Sequence, residues 1–364
     1  MKPHDDESLD SPRAVREGEE LDRSKLVAYF STRLPELGAD VEIEQFPSGF
    51  SNLTYLVRAA TGQEFVLRRP PVGAKIKTAH DMSREFFILK HLHPVYPKVP
   101  RPVLFCDDES VLGAPFYLME RVRGVILRAR PPAALALTPE IMGGLSESFI
   151  QNLAEIHEVD YAAAGLGELG RSHGYVRRQI EGWTKRYYNA RTDDVPAIEK
   201  LAVWLAANAP ADSGRALIHN DYKYDNIMFA PVDLSRVVAV LDWEMATIGD
   251  PLMDLGTAIG YWVDPEDPEE WQRFGFGLTT LPGNLKRSEL IELYARRSGR
   301  DIPDIVFYYA YGLFKTAVIV QQIYYRFRQG FTKDARFSSL GLLVKACGNL
   351  AERAIEKRRI ERLG

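Results

Sequence analysis

The sequence predicts an α+β protein of two lobes. Three observations carry that reading. Short β-branched and aromatic runs crowd the first third of the chain, helical spacing of apolar residues dominates from Gly124 onward, and one apolar hairpin interrupts the helical part between residues 227 and 241. The expected boundaries are a charged, aromatic-poor disordered tail over residues 1–21, a small sheet-built lobe over 22–122 and a larger, mainly helical lobe over 123–364.

A first helix is expected from Asp22 to Arg33, because Leu21, Leu26, Tyr29, Phe30 and Leu34 recur at near-helical spacing. Val41 to Pro47, Leu53 to Ala59 and Glu64 to Arg69 read as strands. Pro47-Ser48-Gly49 and Thr61-Gly62 punctuate them, which makes an antiparallel meander. A helix from Asp81 to Leu92 precedes two further strands, Val103 to Cys106 and Phe116 to Glu120. Late in the chain, Ile305 to Ile323 is the most apolar stretch, but it carries Lys315 and interleaved tyrosines, so it reads as a buried helix and not a membrane span. A charged helix is expected from Ser339 to Arg362.

With 364 residues and 46% hydrophobic content, the chain can bury a large core divided between two lobes. Its net charge of -4 argues against a nucleic-acid partner, since a phosphate backbone is met by a basic surface. Cys106 and Cys347 are far apart and flanked by core-like residues, which points away from a disulfide framework and toward a reducing cytoplasm. The N-terminal stretch has no apolar core of the signal-peptide kind. Oligomeric state is not legible.

The most informative run is His219-Asn220-Asp221-Tyr222-Lys223-Tyr224-Asp225-Asn226, followed by Ile227-Met228-Phe229, a turn-rich Ala230 to Arg236, and Val237 to Leu241 leading into Asp242-Trp243. Closing this hairpin brings Asn226 beside Asp242. Phosphoryl transfer needs a carboxylate to orient the attacking hydroxyl, oxygen ligands for magnesium and positive charge around the phosphates. Asp221 fits the first need and Asn226 with Asp242 the second. Lys223, two residues after Asp221, reads either as a group that spreads charge on the transferred phosphoryl or as a solvated lysine. His219 reads as a structural histidine, Asp225 and Asp250 as turn or capping residues, and Asp254 as a brace for the loop backbone.

This arrangement resembles the H-x-D-x-x-x-x-N loop and magnesium-binding Asp of protein kinases and their relatives. Asp242-Trp243-Glu244 stands where those have D-F-G, and Gly249-Asp250-Pro251-Leu252-Met253-Asp254-Leu255-Gly256 follows at once, leaving no room for a phosphorylatable activation loop or a peptide-docking segment. The pairing is similar to the aminoglycoside phosphotransferase family. Phe46-Pro47-Ser48-Gly49-Phe50-Ser51-Asn52-Leu53-Thr54, Val66-Leu67-Arg68-Arg69-Pro70-Pro71 and Leu241-Asp242-Trp243-Glu244-Met245-Ala246-Thr247 are most like the kinase-like domain fused to some acyl-CoA dehydrogenases. The resemblance covers roughly residues 22 to 350 and implies a protein-kinase-like fold, ATP and Mg2+ as cofactors, and a small-molecule acceptor.

By that resemblance Ser48, Gly49, Ser51 and Asn52 form the loop over the nucleotide phosphates, with Gly49 supplying backbone freedom. Arg68 stands where a lysine is usual. It keeps the charge with a different reach, and its expected partner is Glu85, which reads otherwise as a solvated helix residue. The Glu120 carbonyl and Val122 amide match the hinge that pairs with adenine, although an edge strand running into a loop has the same sequence.

Two substrate readings stand. An aminoglycoside is a polycation and wants an acidic pocket, for which Asp264-Pro265-Glu266-Asp267-Pro268-Glu269-Glu270 is the candidate, unless it is simply a solvated loop with a helix start. Against it stands the helix that opens at Tyr175, where Arg178, Trp183 and Lys185 present charge and an aromatic face to an anionic acceptor such as a hydroxyacyl-CoA or hydroxy acid. The same helix also reads as an amphipathic one packing Trp183 and Tyr187 inward. The tyrosines and phenylalanines between Phe307 and Phe327 line an acyl pocket or fill core. A small-molecule kinase acting on an anionic hydroxyl compound is the favoured expectation; an aminoglycoside-type O-phosphotransferase and a non-catalytic nucleotide-binding module are the alternatives.

Overall fold

The computed structural model describes residues 11–37, 40–47, 52–71, 81–128, 135–171, 173–274, 277–332 and 334–364. Ser48, Gly49 and Ser51, expected in the phosphate loop, lie outside them.

The small lobe is a five-stranded antiparallel sheet of β1 (Val41–Gln45), β2 (Leu53–Ala59), β3 (Glu64–Arg69), β4 (Pro102–Cys106) and β5 (Phe116–Glu120), in the order β1-β2-β3-β5-β4. Helix α1 (Arg23–Arg33), capped by the Asp22 carboxylate on the Lys25 amide, covers one face, and α2 (Met82–Leu92), capped in the same way by Asp81, covers the other. The strand period of two decides which residue faces which helix. Leu53, Tyr55, Val57, Phe65 and Leu67 pack with Leu26 and Phe30 of α1, whereas Leu56, Val66, Tyr117 and Met119 join the cluster of Ile88 and Leu89 on α2. Arg68 shares the parity of Val66, so the strand itself aims it at α2.

A short helix, α3 (Glu109–Leu112), follows β4 where the sequence suggested only a connection; Gly113 closes it at φ +76°. The stretch from Arg13 to Glu19, expected within a disordered tail, is instead docked. Arg13 bridges Gln45, the Arg16 amide donates to Gln45 Oε1, and the Tyr55 hydroxyl donates to the Glu19 carbonyl at 2.7 Å. A buried amide and a buried phenol need partners, a requirement that tail composition does not register.

The large lobe contains β6 (Val125–Ile126), α4 (Pro139–Glu158), α5 (Tyr175–Ala190), α6 (Pro196–Ala207), β7 (Ala216–Ile218), β8 (Ile227–Ala230), β9 (Asp233–Val240), β10 (Thr247–Gly249), α7 (Pro251–Gly260), α8 (Glu269–Gln272), α9 (Arg287–Ser298), α10 (Ile305–Arg328) and α11 (Leu340–Lys357). Strands β6, β8 and β9 form one sheet, and β7 pairs with β10. The hairpin turn is tighter than its composition suggests. Asp233 to Arg236 belong to β9 and stay polar because that end of the strand is largely solvated. Helix α11 stops at Lys357 and not at Arg362, where Arg358 turns left-handed at φ +50°.

Helices α7 and α10 cross backbone to backbone. A Cβ on Gly312 would stand 2.0 Å from the Gly256 carbonyl oxygen, and one on Gly256 2.2 Å from that of Tyr308. This contact sets the distance between Asp254 on α7 and Lys315 on α10, both of which reach the same loop. Among the described residues no helix is long and apolar enough to cross a membrane, and α10 packs Tyr308, Tyr309 and Tyr311 into the core, while Tyr324 and Tyr325 near its end are only partly buried. Cys106 and Cys347 are buried free thiols. Gly312→Ala is expected to destabilise the protein by roughly 2–3 kcal/mol through overpacking against backbone that cannot yield, read as a shifted urea midpoint; an unchanged midpoint contradicts the close crossing.

Candidate active site

Pairing of β8 with β9 sets Ile227 opposite Val240, and the Leu241 amide donates to the Asn226 carbonyl at 2.8 Å, so Asn226 and Asp242 emerge side by side. Asn226 spends its amide nitrogen on Asp221, donating to the carbonyl at 2.8 Å and to Oδ2 at 3.0 Å. That leaves its amide oxygen as the group able to meet a cation. Asp242 sits in left-handed backbone at φ +66° and keeps its side chain 28% exposed in an otherwise buried neighbourhood.

The Asp221 carboxylate accepts from Lys223 Nζ at 2.8 and 3.0 Å and from the Tyr261 hydroxyl at 2.9 Å. Burial by itself pushes its pKa up, but the Lys223 charge outweighs that and holds it below the usual carboxylate range. Asp221 is therefore ionised and acceptor-only at neutral pH. Lys223 is held protonated in turn: burial works against the charge and Asp221 overrides it.

The loop beneath is braced from its backbone. Asp254, fully buried on α7, accepts the His219 amide at 2.8 Å, the Asn220 amide at 2.7 Å and His157 Nε2 at 3.1 Å. His219 turns Nε2 to the Leu241 carbonyl at 2.9 Å, while its Nδ1 takes the Asp221 amide at 3.3 Å. Burial lowers its pKa, in keeping with a neutral ring. The structural reading of this histidine and the bracing reading of Asp254 both hold. So does the capping reading of Asp250, which accepts the Leu252 and Met253 amides at the start of α7.

Across the cleft, Arg68 donates to Glu85 at 2.6 Å and to Asp242 at 3.1 Å. Glu85 is 1% exposed, which removes the solvated alternative. Burial opposes the guanidinium charge, but Glu85 and the carboxylates around it keep Arg68 firmly protonated. Other bonds that join the lobes include Arg84 to the Ala246 carbonyl at 2.6 Å, Asn52 to Glu244 at 2.8 Å and the Val240 amide to the Lys98 carbonyl at 2.8 Å. Glu120 lies opposite Phe65 with the Arg121 amide bonded to the Glu64 carbonyl, so the Glu120 carbonyl points away from β3. Val122 packs with Ile126, Met228 and Ala239 in a small apolar cluster between the hinge and the hairpin.

Among the described residues no group of three His, Cys, Asp or Glu side chains could hold a metal unaided. One exposed carboxylate beside one amide oxygen is the donor set that suits magnesium bound jointly with nucleotide phosphates; the residues fit that ion.

The substrate candidates divide. Trp183 is buried on α5, with the Arg186 guanidinium 4.7 Å from its ring centre and Lys315 Nζ 5.7 Å away. Arg178 is tied to the His173 carbonyl at the start of α5. Lys185 is exposed, and two residues along a helix from Trp183 it faces another way. The acidic run is solvated only in part: Pro265, Glu266 and Glu269 are exposed and α8 starts at Glu269 as read, but Arg287 donates to Asp267 at 2.5 and 2.7 Å and lies 3.3 Å from Asp264, all three buried. Sequence reasoning passed over four residues of the site. Glu244, whose pKa burial and then the Asp242 charge raise to about 8, was visible only as part of a motif. Asn220 lay unweighed within the loop run, Tyr261 carried no local signal, and a lone lysine among aromatics at 315 was the available clue to that residue.

A model of the phosphotransferase enzyme family matches residues 42–289, more than half of the chain. The chain belongs to that family. This phosphotransferase is 36% identical over 317 residues to acyl-CoA dehydrogenase family member 11 of Rattus norvegicus, a match over 85% of the chain but 40% of that protein, so it spans about two fifths of that relative's length. Among solved structures, an aminoglycoside phosphotransferase candidate from Ralstonia eutropha is 30% identical with a TM-score of 0.76, covering 92% of this chain and 99% of that one. Choline kinase of Cryptosporidium parvum, at 12% identity and a TM-score of 0.62 over 94% and 98% of the two chains, shares the fold. The phosphotransferase is thus a two-lobe, kinase-like α+β enzyme. Asp254→Asn is expected to cost roughly 2–4 kcal/mol of stability, because an amide nitrogen is set against backbone donors in a dry site; a loss below about 1 kcal/mol in urea denaturation contradicts the bracing role.

Proposed function

We propose that this phosphotransferase is an ATP- and magnesium-dependent kinase that phosphorylates a hydroxyl group on a small anionic molecule, a hydroxyacyl-CoA or hydroxy acid, in a reducing cytoplasm. The observation that carries the proposal is the meeting of Asp221, Lys223, Asn226, Asp242 and Arg68 around one cleft between the lobes.

Asp221 accepts the acceptor hydroxyl's hydrogen bond and finally its proton. Its depressed pKa suits a loose transition state, in which orienting the nucleophile matters more than strong basicity. Lys223 starts beside Asp221 and meets the charge on the transferring group. Asn226 and Asp242 would hold the metal, which would supply positive charge to offset that of the phosphates. Arg68, fixed by Glu85, faces the phosphates. The Glu120 carbonyl and Val122 amide take the adenine edge, with the Val122, Ile126 and Met228 cluster as its apolar floor.

Two observations favour an anionic acceptor over a polycationic aminoglycoside. Asp264 and Asp267 are consumed internally by Arg287, and the exposed Arg186 lies over Trp183 on α5. The rat relative's name makes hydroxylated acyl-CoAs the first acceptors to try. Magnesium-dependent ATP turnover across a panel of hydroxyacyl-CoAs, hydroxy acids and aminoglycosides tests this. Asp221→Asn and Asp242→Ala are each expected to lower kcat with the best acceptor by about 10²- to 10⁴-fold. Full activity in both variants, or nucleotide binding without a phosphorylated product from any acceptor, refutes the proposal.

A further inference from the structure

Asn220, immediately before Asp221, holds left-handed backbone at φ +68°. That conformation is disfavoured for a residue with a Cβ and persists where surroundings over-determine it. Every polar atom of Asn220 is in use. Its amide goes to Asp254, its Nδ2 to the Met245 carbonyl at 3.0 Å, and its Oδ1 accepts from the Tyr175 hydroxyl at 3.2 Å. The remaining contacts are with Lys315, whose Nζ donates to the Asn220 carbonyl at 2.5 Å and to Oδ1 at 3.2 Å.

Lys315 is 1% exposed on a helix otherwise packed with aromatics, and among the described residues its hydrogen bonds go to Asn220 alone. An ammonium in such a place costs stability that an apolar side chain of similar length would not. What it supplies is order: the carbonyl it grips belongs to the peptide that leads into Asp221. We propose that Lys315 is a positioning residue for phosphoryl transfer, clamping Asn220 in its left-handed state so that the Asp221 carboxylate stays aimed at the acceptor hydroxyl. The inference rests on the kinase reading of Asp221.

Several charges face the ammonium: Asp254 from α7, Asp221 and Lys223 from the loop, and Arg186 from α5, with the Tyr175 hydroxyl sharing Asn220 Oδ1. Burial dominates and lowers the lysine to about 8, against the pull of Asp254 and Asp221. The clamp is therefore charge-assisted at neutral pH and weakens as pH rises through about 8, where the neutral amine keeps only uncharged N–H donors. By the same shift, charging Lys315 below that pH lowers folding stability; order at the loop and global stability move in opposite directions.

The test compares wild type with Lys315→Met by amide hydrogen exchange, Mg·ATP affinity, and kinetics with 3-hydroxybutyryl-CoA as first probe, replaced by the best acceptor of the panel. Exchange at residues 219–222 is expected to quicken about tenfold or more in the variant, with Mg·ATP affinity within about threefold of wild type and kcat down by about 10²-fold, the cost of a misdirected reacting group. The alkaline fall in wild-type kcat near pH 8 should vanish in the variant. Should Lys315→Met fail to fold, wild type carries the test: exchange at 219–222, corrected for intrinsic rate, should loosen between about pH 7 and 9. Unchanged exchange and kcat in the variant, or no alkaline loosening in wild type, overturns the clamp. If no hydroxylated probe is phosphorylated, the kinase reading fails while the exchange result still decides whether Lys315 holds Asn220.

Discussion

The carboxylate of Asp254 is the constraint on which the site depends. Burying a charge is expensive, and burial alone would push this group toward neutrality, yet three donors hold it ionised below the usual carboxylate range. Two of those donors are consecutive amides of the loop, His219 and Asn220. A carboxylate that binds successive amides fixes the peptide between them as well as the atoms it touches, so the direction in which the chain leaves toward Asp221 is set from below. The glycine crossing of α7 and α10 serves the same end, since it brings Asp254 to the amide and Lys315 to the carbonyl of one residue, Asn220.

Charge in the cleft is organised as interlocking pairs. Asp221 with Lys223 and Arg68 with Glu85 and Asp242 leave each cation protonated and Asp221 ionised, while Glu244 stands between states beside Asp242. Under the proposed function, the groups that now satisfy one another are the ones that phosphates and metal would recruit.

The parts of this architecture legible in the sequence were those governed by local rules. Strands β2, β3 and β5 follow from β-branched runs and turn residues, and the Arg68 to Glu85 pair was legible through the family resemblance. Asn226 meets Asp242 because a hairpin must close. What escaped depended on distant partners. Arg287, some twenty residues from Asp267, converts an apparently solvated acidic loop into a buried ion cluster. Tyr261 and Lys315 reach the loop only once helices have packed. Arg13 to Glu19 read as tail because the need for them lies in Gln45 and Tyr55, on the sheet.

Trp243 occupies the position where the resembling kinases carry a phenylalanine. Its indole is fully buried, its Nε1 donates to the Val240 carbonyl at 2.9 Å, and its ring meets His219 edge-on at 4.8 Å. Rotating it outward forfeits that bond and on the order of 4 kcal/mol of burial, while Arg84 pins the chain three residues further on. The buried indole and the Arg84 bond thus anchor the segment bearing Asp242 from both sides, so that its left-handed aspartate is presented from a fixed backbone.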